Sequence, residues 1–192
     1  MADAHTKAHD TIWGHVWVEI LKEAEREGWT GAIEQEIQYI PQMRYLPEHA
    51  RRRPDGYIKK NNKIILFDFT RGNGRTIADL DELKKRKKSQ YTTQAARGEA
   101  PLLQSIQALN PHLKIRLTIL HMSYGAAIDT QHWKRELMAF IADDRLDTAP
   151  DRIIDIAIRQ CCIVFTDVWN TRAAARKAIR EDQKTRRQSG KP

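Results

Sequence analysis

The sequence is poor in cysteine and has no long apolar run. Its two cysteines, Cys161 and Cys162, are adjacent and cannot easily bond each other, which excludes a disulfide framework. Neither has two further Cys or His nearby to complete a zinc site. No apolar run approaches the ~20 residues that cross a bilayer, and the segment MADAHTKAHD lacks the apolar stretch of a secretory signal. These absences predict an intracellular protein, cytoplasmic or nuclear, with no membrane partner.

Acidic residues are in the minority. The 192 residues include 33 Lys and Arg against 25 Asp and Glu, which gives a net charge of +8 and a pI near 9.6. This excess favours a polyanionic partner through non-specific attraction. The length suits one domain with a real core plus an appendage.

The sequence also lacks a recognisable glycine-rich phosphate loop. Gly72 and Gly74 lie in the link 71–76, but their spacing matches neither G-x-x-x-x-G-K-[ST] nor G-x-G-x-x-G. The link is therefore interpreted as a flexible connection. Arg71 and Arg75 are candidate contacts to a nucleic-acid backbone, and Thr76 is the predicted cap of the next helix.

What the sequence does contain is a predicted β-hairpin with two acidic residues. Asp55 follows a proline and opens the first strand, and Asn61-Asn62 is favourable turn chemistry. Asp68 lies in the apolar run of the second strand, whose alternation puts it on one face with Ile64 and Leu66. A carboxylate in such a run is costly to ionise alone, and a metal ion is the commonest remedy.

A helix predicted over 77–96 supplies a basic group. Helical spacing places Lys87 within the apolar stripe that contains Leu80 and Tyr91, whereas Lys84 and Lys88 lie progressively off it. Two Asp and one Lys at a common point are the equipment of metal-dependent phosphodiester cleavage. Structural hydrogen bonding is the predicted role of Gln90 and Gln94.

The order R-P-D, strand, D-x-T, then a helix with K-x-x-x-Y resembles the PD-(D/E)XK nuclease superfamily, and more narrowly the restriction-like endonuclease domain of non-LTR retrotransposons. Thr70 stands where most of the superfamily has its lysine, and the retrotransposon branch is similar in moving that lysine to the next helix. The resemblance covers roughly 9–125. It implies Mg²⁺ or Mn²⁺ held by Asp55 and Asp68, with Lys87 positioning the attacking water.

Further site residues are expected around this centre. The Phe69 carbonyl, next to Asp68 at the strand edge, is a candidate metal ligand, and the resemblance implies an additional acid on the preceding strand, for which Glu34 and Glu36 are equal candidates. The expected nucleic-acid contacts are Arg51, Arg52, Arg53, Arg71, Arg75, Lys84, Lys88 and Tyr91. A solvated basic run is the alternative for the three arginines. His9 and His15 are interpreted as ordinary histidines, with a phosphate-contacting or catalytic role as the alternative.

The predicted fold class is α/β, with a restriction-endonuclease-like core in which helices flank a mixed central sheet. Residues 1–145 form the expected nuclease domain, 146–182 a helical extension and 183–192 a basic disordered tail. The elements expected besides the hairpin and its helix are helices over 11–26, 101–109, 130–144 and from 150, and strands over 32–40 and 113–123.

The leading functional hypothesis is a metal-dependent endonuclease acting on DNA, with RNA or a branched junction as open alternatives for the substrate. One alternative is a nucleic-acid-binding protein on a catalytically silent nuclease scaffold. The other is a structural subunit that oligomerises, as a homodimer, through the long C-terminal helix.

Overall fold

The computed structural model describes residues 2–74, 76–92 and 101–188, which form five helices and four strands. The helices are α1 Ala2–Arg26, α2 Ile77–Thr92, α3 Leu102–Leu109, α4 Thr130–Leu137 and α5 Ala149–Gln188. The strands are β1 Thr30–Ile33, β2 Gly56–Lys60, β3 Lys63–Gly72 and β4 Lys114–Ser123. Short 3₁₀ turns occupy Ile37–Tyr39, Pro47–His49 and Asp143–Arg145.

The four strands form one mixed sheet in the order β1-β2-β3-β4. The pairs β1–β2 and β2–β3 are antiparallel, and β3–β4 is parallel. The predicted hairpin is confirmed, because Lys60 pairs with Lys63 and Asn61 takes the positive φ of 53° that the turn requires. An α/β architecture with a mixed sheet flanked by helices is therefore confirmed.

One face of the sheet packs against α1, α4 and the first part of α5. Alternation on β3 turns Ile65, Phe67 and Phe69 to this side. The Trp13 ring of α1 stacks on Phe69, with centroids 5.5 Å apart and an angle of 15° between the planes. This aromatic layer fixes α1 across the centre of the sheet.

The opposite face packs against α2 and α3. It carries a second core that includes Ile64 and Leu66 of β3, Tyr91 of α2 and Ile106 of α3. Asp68 shares this face with Ile64 and Leu66, as the alternation predicted, so its carboxylate is directed towards α2.

The outer edge of β4 is covered by α4. The His132 ring hydrogen-bonds through Nε2 to the carbonyl of Ile119 at 2.9 Å, and the Trp133 indole N–H donates to the carbonyl of His121 at 2.9 Å. Side chains of α4 thus satisfy strand carbonyls that lack a neighbouring strand, which protects this edge.

Several element boundaries differ from the predicted ones. Helix α1 begins at Ala2 rather than at Thr11, so Asp10 lies inside it instead of capping it. Helix α4 ends at Leu137, short of the predicted 144. Helix α2 is described to Thr92, and the remaining predicted turn with Gln94 falls outside the described residues.

Helix α5 does not separate from the domain at the expected boundary of 145/146. Its residues from Ala149 to Cys161 belong to the same hydrophobic core as the sheet. The helix is described to Gln188, the basic disordered tail over 183–192 stays a prediction, and residues 189–192 lie outside the described part. Over that part, none of the helices is both long enough and apolar enough to cross a bilayer.

Candidate active site

The candidate site occupies the notch where β2 begins beside β3. Gly56, the first residue of β2, pairs with Phe67, so Phe69 has no partner on β2, although it still pairs with Leu120 of β4. Its N–H donates instead to Oδ2 of Asp55 at 2.6 Å, and its carbonyl hydrogen-bonds to Nε2 of His9 at 2.9 Å. The side chains of Asp55 and His9 therefore take the hydrogen-bonding place that β2 leaves empty, and this brings both of them to the residue that follows Asp68 in the chain.

The backbone of Asp55 is held from two sides. Its carbonyl accepts a hydrogen bond from the Trp13 indole at 2.8 Å and another from the backbone N–H of Glu34 at 3.0 Å. Helix α1 and the end of β1 thus fix the position of this residue, and the ring of the preceding Pro54 fixes that proline's own φ angle.

Asp68 is buried, with 2% of its surface exposed, and α2 supplies both of its side-chain partners. The Tyr91 hydroxyl donates to Oδ2, and the Lys87 ammonium lies 3.3 Å from Oδ1. Lys87 and Tyr91 are one helical turn apart and therefore face the sheet together. The prediction that Lys87 faces Asp68 is confirmed.

Burial dominates the electrostatics of Asp68. Desolvation and the nearby charge of Asp55 raise its pKa to about 6, against the lowering effects of Lys87 and Tyr91. Burial, together with the charge of Asp68, also raises the pKa of Tyr91, which keeps the phenol protonated and able to donate. Lys87 and Tyr91 therefore do not fully offset the burial of Asp68 and the charge of Asp55.

His9 was interpreted as an ordinary histidine, and the structure places it at the site instead. Burial opposes its charge, but the nearby Asp55 carboxylate and hydrogen bonds with the Phe69 carbonyl and Asp10 outweigh this and raise its pKa to about 9. Nε2 lies 3.6 Å from Oδ2 of Asp55. The sequence held one indication of this role: His9 lies four residues before Trp13, on the same face of α1. The predicted helix began only at Thr11, so His9 was placed outside it.

The donor set fits a divalent cation. Two carboxylates and one main-chain carbonyl are hard oxygen ligands, and Oδ1 of Asp68 is a buried oxygen with no hydrogen-bond partner apart from the contact to Lys87. Within the described residues, no group of three or more His, Cys, Asp or Glu side chains is placed to hold a metal ion. Any such ion would therefore depend on Asp55, Asp68 and the Phe69 carbonyl.

Glu34 and Glu36, the two candidates for a third acid, do not lie on a common strand face. The strand prediction over 32–40 is wrong beyond Ile33, because Glu34 has a positive φ of 49° and ends β1. The Glu34 carboxylate lies 3.8 Å from Arg53, and Glu36 accepts a hydrogen bond from Gln38 at 2.6 Å. Both carboxylates thus have partners other than Asp55 and Asp68.

The predicted basic contacts divide into outward and inward groups. Arg51, Arg52, Arg53 and Lys88 are exposed, and Arg52 is close enough to lower the pKa of Tyr91. Lys84 is half-buried and bonded to Asp81 at 2.6 Å.

Two of the expected nucleic-acid contacts point inward, and Arg75 lies outside the described residues. The Arg71 guanidinium lies 3.4 Å from Sγ of Cys161 and covers the Tyr124 ring at 5.3 Å, so it packs against α5. Tyr91 is buried with its hydroxyl committed to Asp68. These contacts correct the interpretation of both residues as surface contacts to nucleic acid.

Known proteins offer no assignment for this site, since neither the models of established families nor the curated sequences contain a match to the chain.

Proposed function

We propose that the protein is a divalent-metal-dependent endonuclease that hydrolyses phosphodiester bonds of DNA. One observation carries the proposal: Asp55, just before β2, bonds the peptide N–H that follows Asp68, and Lys87 of α2 lies 3.3 Å from the Asp68 carboxylate. A purely structural ion pair needs no second carboxylate, and burial together with the charge of Asp55 raises the pKa of Asp68, as is common for acids in functional sites.

Asp55, Asp68 and the carbonyl of Phe69 are the residues that would hold Mg²⁺ or Mn²⁺. When bound, such an ion polarises a phosphoryl oxygen and lowers the pKa of a coordinated water. The protein's own contribution is to present these oxygens rigidly, through Trp13 on the Asp55 carbonyl and Tyr91 on the Asp68 carboxylate.

Lys87 is assigned to the attacking water and to the charge that develops on the phosphate. Its side chain is 29% exposed, so the ammonium reaches both the buried carboxylate and a substrate at the surface. A fixed positive charge at that position stabilises the pentacovalent phosphate more than the ground state. Arg51, Arg52, Arg53 and Lys88 are assigned to the flanking phosphates, which Arg recognises with its planar fork.

The proposal includes a restriction-endonuclease-like core. It is supported by the order of the elements: an acid-bearing antiparallel hairpin, a helix with the lysine, and a fourth strand parallel to β3. The resemblance drawn from R-P-D and D-x-T belongs to the same proposal.

Cleavage of supercoiled plasmid DNA with Mg²⁺ or Mn²⁺, against an EDTA control, tests the function. Asp68→Ala and Lys87→Ala should abolish nicking and retain DNA in a gel shift. Lys85→Ala is the matched control, because it removes a lysine from the same helix that is 69% exposed and paired with Glu82. Metal-independent nicking, or full activity of Lys87→Ala, would contradict the proposal.

A second candidate is a DNA-binding protein on a silent nuclease scaffold. Two features favour it: Thr70 stands where most of the superfamily has its lysine, and the described residues bring no group of three metal-ligating side chains to the notch. Metal-independent retention of DNA with no nicking under any of these conditions is the result expected for that function.

A further inference from the structure

The second half of α5 leaves the packed core. Cys161 is 1% exposed, whereas the described side chains from Cys162 onward are exposed or half-buried. We call residues 162–188 the α5 arm. At about 1.5 Å per residue, the arm extends roughly 40 Å. It contains seven Lys and Arg residues and three acidic residues.

Two exposed aromatic side chains lie at the base of the arm. Phe165 is 55% and Trp169 is 61% exposed, and their rings stack with centroids 6.3 Å apart and an angle of 21° between the planes. Single exposed apolar residues are ordinary, but two large aromatic rings stacked side by side on a projecting helix present a flat π-surface for a partner.

Arginines continue the same face of the helix. At about 100° per residue, positions 165, 169, 172, 176 and 180 fall within an arc of roughly 80°, and position 187 returns to it. The sequence has Arg at all of these positions after 169, and Arg176 is exposed. By the same rotation, positions 167, 181 and 182, which hold the three acidic residues of the arm, fall outside this arc, and Glu181 is 4.0 Å from Lys177. We call the four arginine positions the arginine stripe.

The geometry points to a single-stranded segment of nucleic acid as the partner of the α5 arm. The arginine stripe complements phosphates, and the Phe165–Trp169 pair offers stacking to bases. Bases in a duplex are already stacked on each other, so only unpaired bases can use this surface. A second copy of the arm is disfavoured, because pairing through this face brings two arginine stripes together.

The arm begins close to the candidate site. Arg71 of β3 contacts Cys161, the last buried residue among the described side chains of α5, and lies two residues, or about 7 Å, beyond Phe69. This inference rests on the proposed function only in placing an unpaired segment within the substrate. Binding by the arm is measured without metal, so it is separable from cleavage.

The test uses the full chain in EDTA and fluorescence anisotropy with a labelled oligothymidylate of about 20 nucleotides, a length that can follow the arm. A blunt duplex of equal length is the comparison probe. Phe165→Leu/Trp169→Leu should weaken oligothymidylate binding at least about fivefold and leave the duplex nearly unchanged. Leucine keeps the helix propensity of these exposed positions, so folding is retained.

A second measurement tests the role of charge by comparing two double variants. Arg172→Ala/Arg176→Ala should lower the slope of log K against log salt by about 1.4, since each phosphate contact on a single strand contributes about 0.7. Lys177→Ala/Lys184→Ala removes the same charge from positions off the stripe and should change it less. Equal losses in both would overturn the proposal, as would unchanged oligothymidylate binding in the aromatic variant.

Sedimentation velocity tests whether a second copy of the chain, rather than nucleic acid, binds the aromatic surface. A dimer that dissociates on Phe165→Leu/Trp169→Leu would assign the aromatic surface to a second copy and overturn the proposal. If plasmid is not cleaved but the stripe variants lose the oligothymidylate, the endonuclease proposal alone fails. If plasmid is cleaved and the variants bind normally, the α5 arm proposal alone fails.

Discussion

The ammonium of Lys87 lies 3.3 Å from Oδ1 of Asp68, and the hydroxyl of Tyr91, one helical turn later, donates to the other oxygen of the same carboxylate. A single helix face thus presents one charged and one neutral donor to a buried acid. Because the phenol holds Oδ2, Oδ1 stays directed towards Lys87 and the surface. This division of the two oxygens leads to the first prediction.

Tyr91→Phe should shift the acid limb of the pH–activity profile upward. The hydroxyl lowers the pKa of Asp68, so its removal leaves burial and Asp55 less opposed. A hydrogen bond to a charged group is worth enough for a shift of about one pH unit. The nicking rate from pH 5 to 9 measures it. Tyr39→Phe, at a side chain 64% exposed, is the control, and a Tyr91→Phe profile that overlays the wild type would contradict the assignment.

Asp68→Asn should stabilise the fold at high pH. Its folded pKa of about 6 lies above the ordinary 3.8, so the native state holds the proton more tightly than the unfolded chain does. Stability therefore falls as pH rises between these two values. Above the window the carboxylate costs roughly 3 kcal/mol, which Asn avoids.

Thermal unfolding at pH 4 and pH 8 checks this prediction. The midpoint of Asp68→Asn should exceed that of the wild type at pH 8, and the difference should shrink at pH 4. Mg²⁺ should raise the midpoint of the wild type alone, because it neutralises the carboxylate pair. A variant less stable than the wild type at pH 8 would show that Asp68 stabilises the fold.

His9→Gln should reduce cleavage by about 10- to 100-fold, the usual effect of losing a residue that orients a metal ligand. His9 connects α1 to the Phe69 carbonyl and to Asp55. Glutamine has a different reach and cannot hold both. The rate is compared with His15→Gln, which alters an exposed histidine on the same helix. Equal activities would remove His9 from the site.

The parts of the site that follow from local periodicity could be predicted from sequence. Alternation on β3 fixed the face of Asp68, and the 3.6-residue repeat of α2 selected Lys87 from five neighbouring basic residues. The first rule holds because successive side chains of β3 alternate between the two cores, and the second because α2 packs against the sheet on one side. The Asn61 turn aligned the two strands, which brought Asp55 beside Asp68.

The remaining site contacts depend on tertiary placement that no local pattern encodes. His9 reaches Phe69 only because β2 begins at Gly56, which leaves Phe69 without a partner on that strand, and because α1 crosses this notch. Glu34 reads as a strand residue, but the chain takes a positive φ there, and the predicted acidic face is lost. The sequence predicts Arg71 as a surface charge, but α5 passes close enough for its guanidinium to contact Cys161.

Glu23→Gln should destabilise the fold by about 3–5 kcal/mol, the typical cost of breaking a buried ion pair from one side. The Glu23 side chain is fully buried and bridges Arg26 at 2.7 Å, Arg145 at 3.0 Å and Arg152, which ties α1 to α5. Glutamine leaves these guanidinium groups without their shared charge. Urea unfolding of this variant is compared with Asp151→Asn, whose pair with Lys134 is exposed and worth less than about 1 kcal/mol. Similar losses in both variants would mean that the arginines are hydrated well enough to stand without Glu23, and that packing alone holds α5 on α1.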